Sequence, residues 1–359
     1  MDTSRLRIGL IGCGDIGRLR ARAIAAAPSC ELVAVSDIDP ERAKTVATQH
    51  QALFDRDWAT LLQRSDVDTV VVSTPPAVHA QMCREAMEAG KDVLCEKPLA
   101  RTPEECRTIL DAAERSGRRL GVGFNYRFYP SFAAARDVLA SGAIGELDHV
   151  RAYAGYSATG HNQPWVHDAS VVGGGALWDN GIHLIDLTRH FLGDVVEVKG
   201  FATGHSWRFP GCEDNGFALL RSADGRIATL HASWTEWRRY QFRIELYGTR
   251  GCIRATCFPM TLEVQAADAT GGRTRGRRSF FPRWAIGEKL GSYRWVVVQS
   301  LVAEFEAFAA ARTGASGLVA TGLDGLRAVE IADAAARGGA LWESTAAPAE
   351  PVAQPRAAE

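Results

Sequence analysis

This sequence of 359 residues lacks both a metal-binding pattern and a disulfide framework. Its eight cysteines are scattered along the chain, and no two of them form a Cys-x-x-Cys pair. Isolated cysteines of this kind are typical of reduced thiols that fill an apolar core. We therefore expect no metal site and a cytoplasmic protein.

A strong charge of one sign and a long apolar run are also missing. The formal net charge is −1, so nothing in the overall balance favours nucleic acid or an anionic membrane as a partner. The apolar segment over residues 5–12 is too short for a signal peptide or a membrane span, and no later run reaches membrane-spanning length. With 46% hydrophobic and 23% charged residues, the composition indicates a soluble protein, and its length suggests two domains.

Short β-rich runs alternate with amphipathic helical stretches over the first 125 or so residues. The predicted strands are 6–11, 32–36, 69–73, 92–95 and 120–124, and the predicted helices are 16–27, 40–49, 77–89 and 103–116. Such alternation predicts right-handed βαβ crossovers and a doubly wound parallel sheet.

The pattern changes after about residue 145. Predicted strands follow at 147–156, 195–203, 216–220, 226–234, 242–247 and 251–255, with one helix at 177–192 that Gly193 ends. Two closing helices are predicted at 295–313 and 325–337. The prediction is an α/β domain over residues 1–125 and an α+β domain over 126–343 with a large, mostly antiparallel open sheet. The Ala/Pro/Glu-rich tail, 344–359, is expected to be disordered.

A glycine-rich motif directly follows the first predicted strand and opens the first helix. Its residues are Gly12, Cys13, Gly14, Asp15, Ile16 and Gly17. The three glycines permit a tight turn, close backbone approach to a pyrophosphate, and close helix–strand packing, while the helix N-terminus attracts the phosphates. In this context the motif indicates a Rossmann domain that binds a dinucleotide, rather than an ordinary glycine-rich turn.

Asp37 ends the second strand, 20 residues after Gly17, where a carboxylate is expected to accept hydrogen bonds from the adenine ribose. A 2′-phosphate about 4 Å from this carboxylate would cost about 1–4 kcal/mol, so NAD is favoured over NADP. Arg42 is near in sequence but a turn further on.

Lys97 follows the predicted strand 92–95, at the edge of the sheet where open α/β folds bind ligands. A lysine there can polarise a substrate hydroxyl, although alone it would more often be a surface charge. The second domain offers partners after the triple glycine 173–175. Asp179, His183 and Asp186 follow i, i+4, i+7 spacing and are predicted to share one helix face. A histidine supported by a carboxylate suits removal of a hydroxyl proton during hydride transfer.

Taken together, the glycine motif, Glu96-Lys97-Pro98 and the segment 173–186 make the sequence resemble the glucose–fructose oxidoreductase/inositol dehydrogenase (Gfo/Idh/MocA) family over residues 5–340. The resemblance implies that Lys97, Asp179 and His183 surround the nicotinamide and the reacting carbon. It further implies roles for residues near the cofactor, which are Thr74, Pro75, His79 and Glu96, and for residues leading into the substrate crevice, which are Asn125 and Arg127.

One segment departs from the family pattern. Where a Trp-Arg pair is common, this chain has Trp165-Val-His167, so we expect Trp165, His161 and His167 to line this protein's own substrate crevice. The basic stretch with Arg273, Arg275, Arg277, Arg278 and Arg283 is predicted to be a solvated flexible loop, and contact with a phosphorylated substrate is the alternative.

The functional prediction is an NAD-dependent dehydrogenase acting on a secondary alcohol of a sugar, cyclitol or sugar derivative. Two alternatives are a catalytically silent dinucleotide-binding regulator and an oxidoreductase that couples two sugars through a tightly bound cofactor. Retention of Lys97, Asp179 and His183 disfavours the regulator, since a binder does not need them. An antiparallel sheet with one uncovered face also predicts a homodimer or homotetramer.

Overall fold

The computed structural model describes residues 5–160, 163–267, 272, 276–313, 318–338 and 340–341. Within these ranges, no helix is both long and apolar enough to cross a membrane.

The first part of the chain alternates strands with helices. Its strands are β1 (Leu6–Ile11), β2 (Cys30–Ser36), β3 (Leu53–Phe54), β4 (Thr69–Val72), β5 (Asp92–Cys95) and β6 (Leu120–Val122). Its helices are α1 (Asp15–Ala26), α2 (Pro40–His50), α3 (Trp58–Leu62), α4 (His79–Glu88) and α5 (Pro103–Ser116). The remainder begins with α6 (Pro130–Ala140) and β7 (Leu147–Gly155), followed by α7 (Ala169–Val172) and α8 (Asn180–Leu192).

Strands then dominate, and two long helices come near the end. The strands are β8 (Val195–Thr203), β9 (Asn215–Ser222), β10 (Ile227–Ser233), β11 (Gln241–Gly248), β12 (Gly251–Cys257), β13 (Thr261–Ala266) and β14 (Arg277–Phe280). They are followed by α9 (Pro282–Ala310), β15 (Ala320–Thr321), α10 (Gly322–Ala336) and β16 (Ala340–Leu341).

Two sheets organise these elements. The first has the order β15-β6-β5-β4-β1-β2-β3, and all its pairings are parallel except that of β15 with β6. The second has the order β14-β13-β12-β11-β7-β10-β9-β8-β16, and its pairings are antiparallel except that of β7 with β10. The predicted fold class is therefore confirmed. The first sheet places the ends of β1, β4 and β5 side by side, which is where the glycine motif and Lys97 follow.

Local sequence explains where several helices begin. Asp39 accepts hydrogen bonds from the backbone N–H groups of Glu41 and Arg42, and Pro40 occupies the first turn of α2. Thr102 caps α5 in the same way, again with a proline in the first turn. Side-chain caps of this kind satisfy donors that the helix itself cannot, so these boundaries were accessible from sequence.

The end of the chain returns to the first sheet. Leu301, Phe305 and Phe308 of α9 are buried in the same hydrophobic cluster as α1, and β15 extends the first sheet beside β6. Helix α9 also begins earlier than the predicted helix 295–313, with non-helical backbone at Ser292. The predicted domain limits, 1–125 and 126–343, stay a prediction, and residues of the later segment take part in the first core.

Other sequence predictions need correction. Arg277 and Arg278 do not lie in a loop but in β14, where Arg278 contacts Glu263 of β13 at 3.2 Å. Pairing with β13 satisfies the backbone hydrogen-bonding groups of this charged segment. Composition alone did not reveal that pairing. Missed elements include α3, α6, β13 and β14. Arg273, Arg275 and the tail 344–359 lie outside the described residues.

Buried charges tie α8 to its surroundings. Arg127, in a 3-10 turn at Asn125–Phe128, pairs with both carboxylate oxygens of Asp186 on α8 and lies 3.4 Å from Asp324 of α10. Arg189 of α8 contacts the same Asp324 at 3.0 Å. Since almost all of α8 is buried, these charges compensate one another in a dry environment.

We therefore expect Asp186→Ala to reduce the free energy of unfolding by about 3–5 kcal/mol, because it leaves Arg127 buried with less compensation. Urea denaturation measures this loss. The matched control is Asp137→Ala, which removes the exposed contact between Asp137 and Arg136 and should cost less than about 1 kcal/mol. Equal losses in the two variants would contradict the role given to Asp186.

Candidate active site

The glycine turn after β1 leaves no room for side chains at two positions. Gly12 has φ +94°, and a Cβ there would lie 2.4 Å from the Ser73 carbonyl oxygen. A Cβ on Gly17 would lie 2.0 Å from the carbonyl oxygen of Gly12. At Gly14, by contrast, no described atom lies within 4 Å of where a Cβ would be, so the backbone is open to a ligand. This is the pattern expected of a turn that admits a pyrophosphate.

The N-terminus of α1 faces the same turn. Gly14 is its N-cap, and among the described residues no side chain caps it. The helix dipole and the free N–H groups of the first turn together favour an anion here. Asp15 and Ile16 form this first turn, and Ile16 is 44% exposed. Asp15 contacts Arg18 and accepts a hydrogen bond of 2.8 Å from Gln163 of the second domain.

Asp37 stabilises the turn directly. Its Oδ2 accepts from the backbone N–H of Cys13 at 2.6 Å, and its Oδ1 accepts from the N–H of Asp39 at 2.8 Å. Arg42 comes within 3.4 Å of Oδ1, so it reaches the carboxylate despite lying a turn further along. The carboxylate is thus fixed beside the glycine turn at the end of β2, where an adenine ribose would lie.

The Thr74–Pro75 turn after β4 is connected to the turn after β5 by His79. The ring nitrogens of His79 lie 2.8 Å from the Thr74 carbonyl oxygen and 3.0 Å from that of Pro98. The side chain is fully buried, and burial lowers its pKa. His79 thus connects two loops at the sheet edge, while its contact with cofactor stays a prediction.

Lys97 reaches across from the first domain to the second. Its Nζ donates to the backbone oxygen of Asp179 at 3.1 Å and lies 3.7 Å from Oδ1 of the same residue. Its backbone N–H donates to Oε2 of Glu96 at 3.1 Å. The ammonium is therefore held between the turn after β5 and the start of α8.

Asp179 does not lie on the helix face predicted for it. It is the N-cap of α8, with ψ −94°, and the helix begins at Asn180. Its Oδ2 accepts from Trp234 Nε1 at 3.0 Å and from the hydroxyl of Tyr156. The predicted common face of Asp179, His183 and Asp186 is therefore wrong, because the helix starts later and Asp186 turns to Arg127.

His183 lies in an aromatic environment with 5% of its surface exposed. Its ring stacks on that of Tyr126, with centroids 4.2 Å apart and planes inclined by 14°, and meets the edge of Phe124 at 5.9 Å. Among the described residues, Nδ1 has no hydrogen-bond partner although it is buried. Burial and the positive charge of Lys97 lower the pKa of His183 well below 6.5, while Asp179 acts in the opposite direction. At neutral pH the imidazole is therefore neutral and can accept a proton.

The residues predicted to bind substrate divide into two groups. Asn125 and Arg127 are buried, and their side chains contact Ser300 at 2.8 Å and Asp186. His167, by contrast, stacks on Phe209 at 4.0 Å and meets the edge of Trp234 at 5.6 Å, next to Asp179. Trp165 is 37% exposed and donates to Gln163, while His161 lies outside the described residues.

Sequence analysis missed three aromatic residues of this site, namely Tyr126, Tyr156 and Trp234. Tyr126 lies between the two predicted residues Asn125 and Arg127, but an isolated aromatic residue gives no sign of what it will stack on. Tyr156 directly follows β7 and Trp234 directly follows β10, and these two strands are parallel neighbours. The strand pairing brings the polar atoms of both side chains to the carboxylate of Asp179, and no sequence pattern predicts this pairing.

The fold and this site define a class, an oxidoreductase with an NAD-binding Rossmann domain. Two family profiles match: residues 6–124 match the NAD-binding Rossmann fold of an oxidoreductase family, and residues 132–254 match the GFO/IDH/MocA C-terminal domain. The chain belongs to the Gfo/Idh/MocA family, which confirms the resemblance seen in the sequence.

Individual relatives agree along nearly the whole chain. Inositol 2-dehydrogenase of Rhizobium meliloti is 30% identical over 337 residues, covering 92% of this chain and 96% of the relative. Inositol 2-dehydrogenase 2 of Saccharopolyspora erythraea is 33% identical over 363 residues, covering 98% and 97%. A levoglucosan dehydrogenase solved in complex with NADH is 26% identical, with a TM-score of 0.81 and coverage of 92% and 95%.

The described residues fit the NAD that this family binds. The open backbone at Gly14, the N-terminus of α1 and the fixed carboxylate of Asp37 are the groups that would hold the phosphates and the ribose.

We expect Asp37→Ser to weaken NAD binding and to narrow the difference in affinity between NAD and NADP, because the ribose loses an acceptor and a 2′-phosphate no longer meets a carboxylate. Fluorescence quenching titrations of both dinucleotides measure this. Tighter binding of NADP than of NAD by the unaltered protein would contradict the premise.

Proposed function

We propose that this protein is an NAD-dependent dehydrogenase that transfers a hydride between the nicotinamide and a secondary alcohol of a sugar, cyclitol or sugar derivative. The observation that carries the proposal is that His183, which is neutral at neutral pH, lies within the influence of the contact that Lys97 of the first domain makes with Asp179 of the second. Relatives named for inositol and levoglucosan support the substrate class. Others are named as dTDP-linked deoxysugar reductases, so sugar derivatives are included.

Each polar group has a distinct task in this proposal. The bound nicotinamide supplies the hydride acceptor at the crevice. His183 accepts the proton of the substrate hydroxyl as the carbonyl forms, and returns it in the reductive direction. Lys97 donates a hydrogen bond to the same oxygen and stabilises its developing negative charge. Asp179 holds the Lys97 ammonium and balances the charge that appears on His183.

The surroundings support this assignment. Tyr156 and Trp234 donate to Asp179 and so favour its ionised form, while the ring of Tyr126 fixes the plane of His183. Among the described residues, Nδ1 of His183 is buried without a hydrogen-bond partner. A substrate hydroxyl would therefore donate to the neutral ring through the 5% of His183 that stays exposed.

A polyol panel tests the function. Protein, NAD and individual inositols, pyranoses or anhydrosugars are mixed, and NADH formation is followed by absorbance. We expect at least one of these alcohols to reduce NAD. Specific NAD binding without turnover across the panel would favour a silent binder, and a reduced cofactor already bound to the purified protein would favour sugar–sugar coupling.

For a responsive substrate, His183→Ala should lower kcat by about 10²–10⁴, since it removes a positioned base. NAD affinity should change little, because the dinucleotide lies on the first domain. Lys97→Ala should be at least as damaging. Near-unaltered turnover of His183→Ala would mean that another group accepts the proton.

The pH profile distinguishes the role of Asp179. Its charge raises the pKa of His183, so Asp179→Asn should move the acid limb of kcat/KM to lower pH while reducing the rate. In the unaltered protein, the limb that is due to His183 itself should lie below pH 6.5, since His183 must be neutral to act as a base. A limb that stays at the same pH in Asp179→Asn would count against contact between these two charges.

We further propose that the protein assembles as a homodimer or homotetramer through the second domain. The outer face of β8 and β9 carries Phe201, Phe217 and Leu219, which are 77%, 44% and 53% exposed. Phe201 and Phe217 are direct cross-strand neighbours, so the apolar side chains form one patch. Monomers seldom leave such a patch in water.

The eight free cysteines, seven of them buried, support a reducing cytoplasmic compartment.

Phe201→Glu should lower the molar mass of the assembly toward that of the 38.8 kDa monomer, because it places a charge within an apolar interface. Size exclusion with light scattering measures the mass. The control is Leu53→Glu, which alters an exposed apolar residue of the first domain, 52% accessible, and should leave the mass unchanged. A monomeric unaltered protein at micromolar concentration would refute the proposal.

A further inference from the structure

Three charged side chains are buried directly behind Lys97. Arg20 of α1 and Glu304 of α9 each expose only 1% of the side chain, and Glu96, which precedes Lys97, exposes 12%. Burying charges is costly unless they are paired, so their arrangement requires a specific explanation. Glu304 in particular lies in no motif and is separated from Lys97 by about two hundred residues of sequence.

The three side chains form one continuous chain of contacts that ends on Lys97. Arg20 Nη1 donates to Glu304 Oε2, and Arg20 Nε donates to Glu96 Oε1 at 2.6 Å. The other oxygen of Glu96 accepts from the backbone N–H of Lys97 at 3.1 Å. Glu96 is therefore held by Arg20 on one side and holds the Lys97 backbone on the other.

The packing leaves Arg20 little freedom. Its guanidinium lies over the ring of Phe305, 5.5 Å from the centroid. A Cβ on Gly123 would lie 2.3 Å from Nη2, so the absence of a side chain at this position makes room for the guanidinium. Because Arg20 is confined, the position of Glu96 depends on which charges Arg20 balances.

We propose that Glu304 is a positioning residue that fixes the ammonium of Lys97 through Arg20 and Glu96. This inference rests on the function proposed above. Ionised Glu304 holds Arg20 from the α9 side, so that Arg20 presents Nε to Glu96 and Glu96 keeps the turn of Lys97 in place. Loss of that charge leaves Arg20 attracted to Glu96 alone, and because Arg20 is confined, it is Glu96 and the backbone that carries Lys97 that shift.

The charges around Glu304 make this arrangement dependent on pH. Burial and the negative charge of Glu96 raise the pKa of Glu304 to about 7, while Arg20 and Arg127 oppose the rise. The groups that face it are thus Arg20 from α1, Glu96 after β5 and Arg127 from the 3-10 turn. Arg20 also acts on His183, whose pKa it lowers. Above about pH 7 Glu304 is ionised and the chain of contacts is complete.

The test compares Glu304→Gln with Glu306→Gln. The second variant alters the same helix two residues later. There Glu306 accepts hydrogen bonds from the backbone N–H and the hydroxyl of Ser29, away from Lys97. Above pH 7, Glu304→Gln should lower kcat by about 10- to 100-fold with little change in NAD affinity, because a displaced catalytic group costs roughly this much. The difference in kcat between Glu304→Gln and the unaltered protein should narrow below pH 7, because Glu304 of the unaltered protein is then protonated as well. Glu306→Gln should retain the original rate and profile.

A readout that needs no turnover accompanies the kinetics. The chain has five lysines, so reductive ¹³C-methylation gives few resonances, and Lys97→Arg identifies that of Lys97. We expect this resonance to shift near pH 7 in the unaltered protein, to lose that shift in Glu304→Gln and to keep it in Glu306→Gln. If no polyol is oxidised, the proposed function fails while this measurement still tests the positioning.

Either of two results would overturn the inference. One is a kcat of Glu304→Gln that matches Glu306→Gln across the pH range. The other is a Lys97 resonance that does not respond near pH 7 in the unaltered protein, a measurement that remains valid even if Glu304→Gln fails to fold.

Discussion

The contact between Lys97 and Asp179 connects the two domains, and the proposed reaction centre lies around it. Lys97 follows β5 of the parallel sheet, and Asp179 is the residue that precedes a buried helix of the other domain. The ammonium lies 3.7 Å from the carboxylate, and both charges act on the pKa of His183. Neither domain alone contains both.

Burial explains the chemistry of the groups around that contact. His183 is held neutral because an imidazolium would be costly in a dry aromatic environment beside a lysine. The carboxylate of Asp179, in turn, accepts hydrogen bonds from Trp234 and Tyr156. The same principle recurs further out, where Arg20 and Arg127 each neutralise carboxylates that would otherwise be isolated in the core. The site is thus surrounded by charges that compensate one another.

Features of the fold and of the candidate site could be predicted from the sequence where residues close together in the chain determine them. The glycine turn, Asp37 and the strand ends were predictable because spacing along one βαβ unit determines their geometry. Asp179 was assigned to a helix face because i, i+4, i+7 spacing cannot show that the helix begins one residue later. Arg127 was predicted from a motif to lead into the substrate crevice, whereas its side chain forms a buried pair with Asp186. Tyr156 and Trp234 are brought together by the pairing of β7 with β10, and Glu304 lies near Lys97 because α9 packs against the first domain. No short sequence pattern encodes these contacts.

In the proposed reaction, residues of both domains act together as a hydride leaves an alcohol carbon. The mass of the NADH formed when the protein acts on polyols deuterated at the ring carbons tests this reaction. We expect one deuterium in each NADH molecule, taken from the carbon whose hydroxyl becomes a carbonyl. NADH without deuterium, or deuterated polyols that bind beside NAD and are never oxidised, would contradict it.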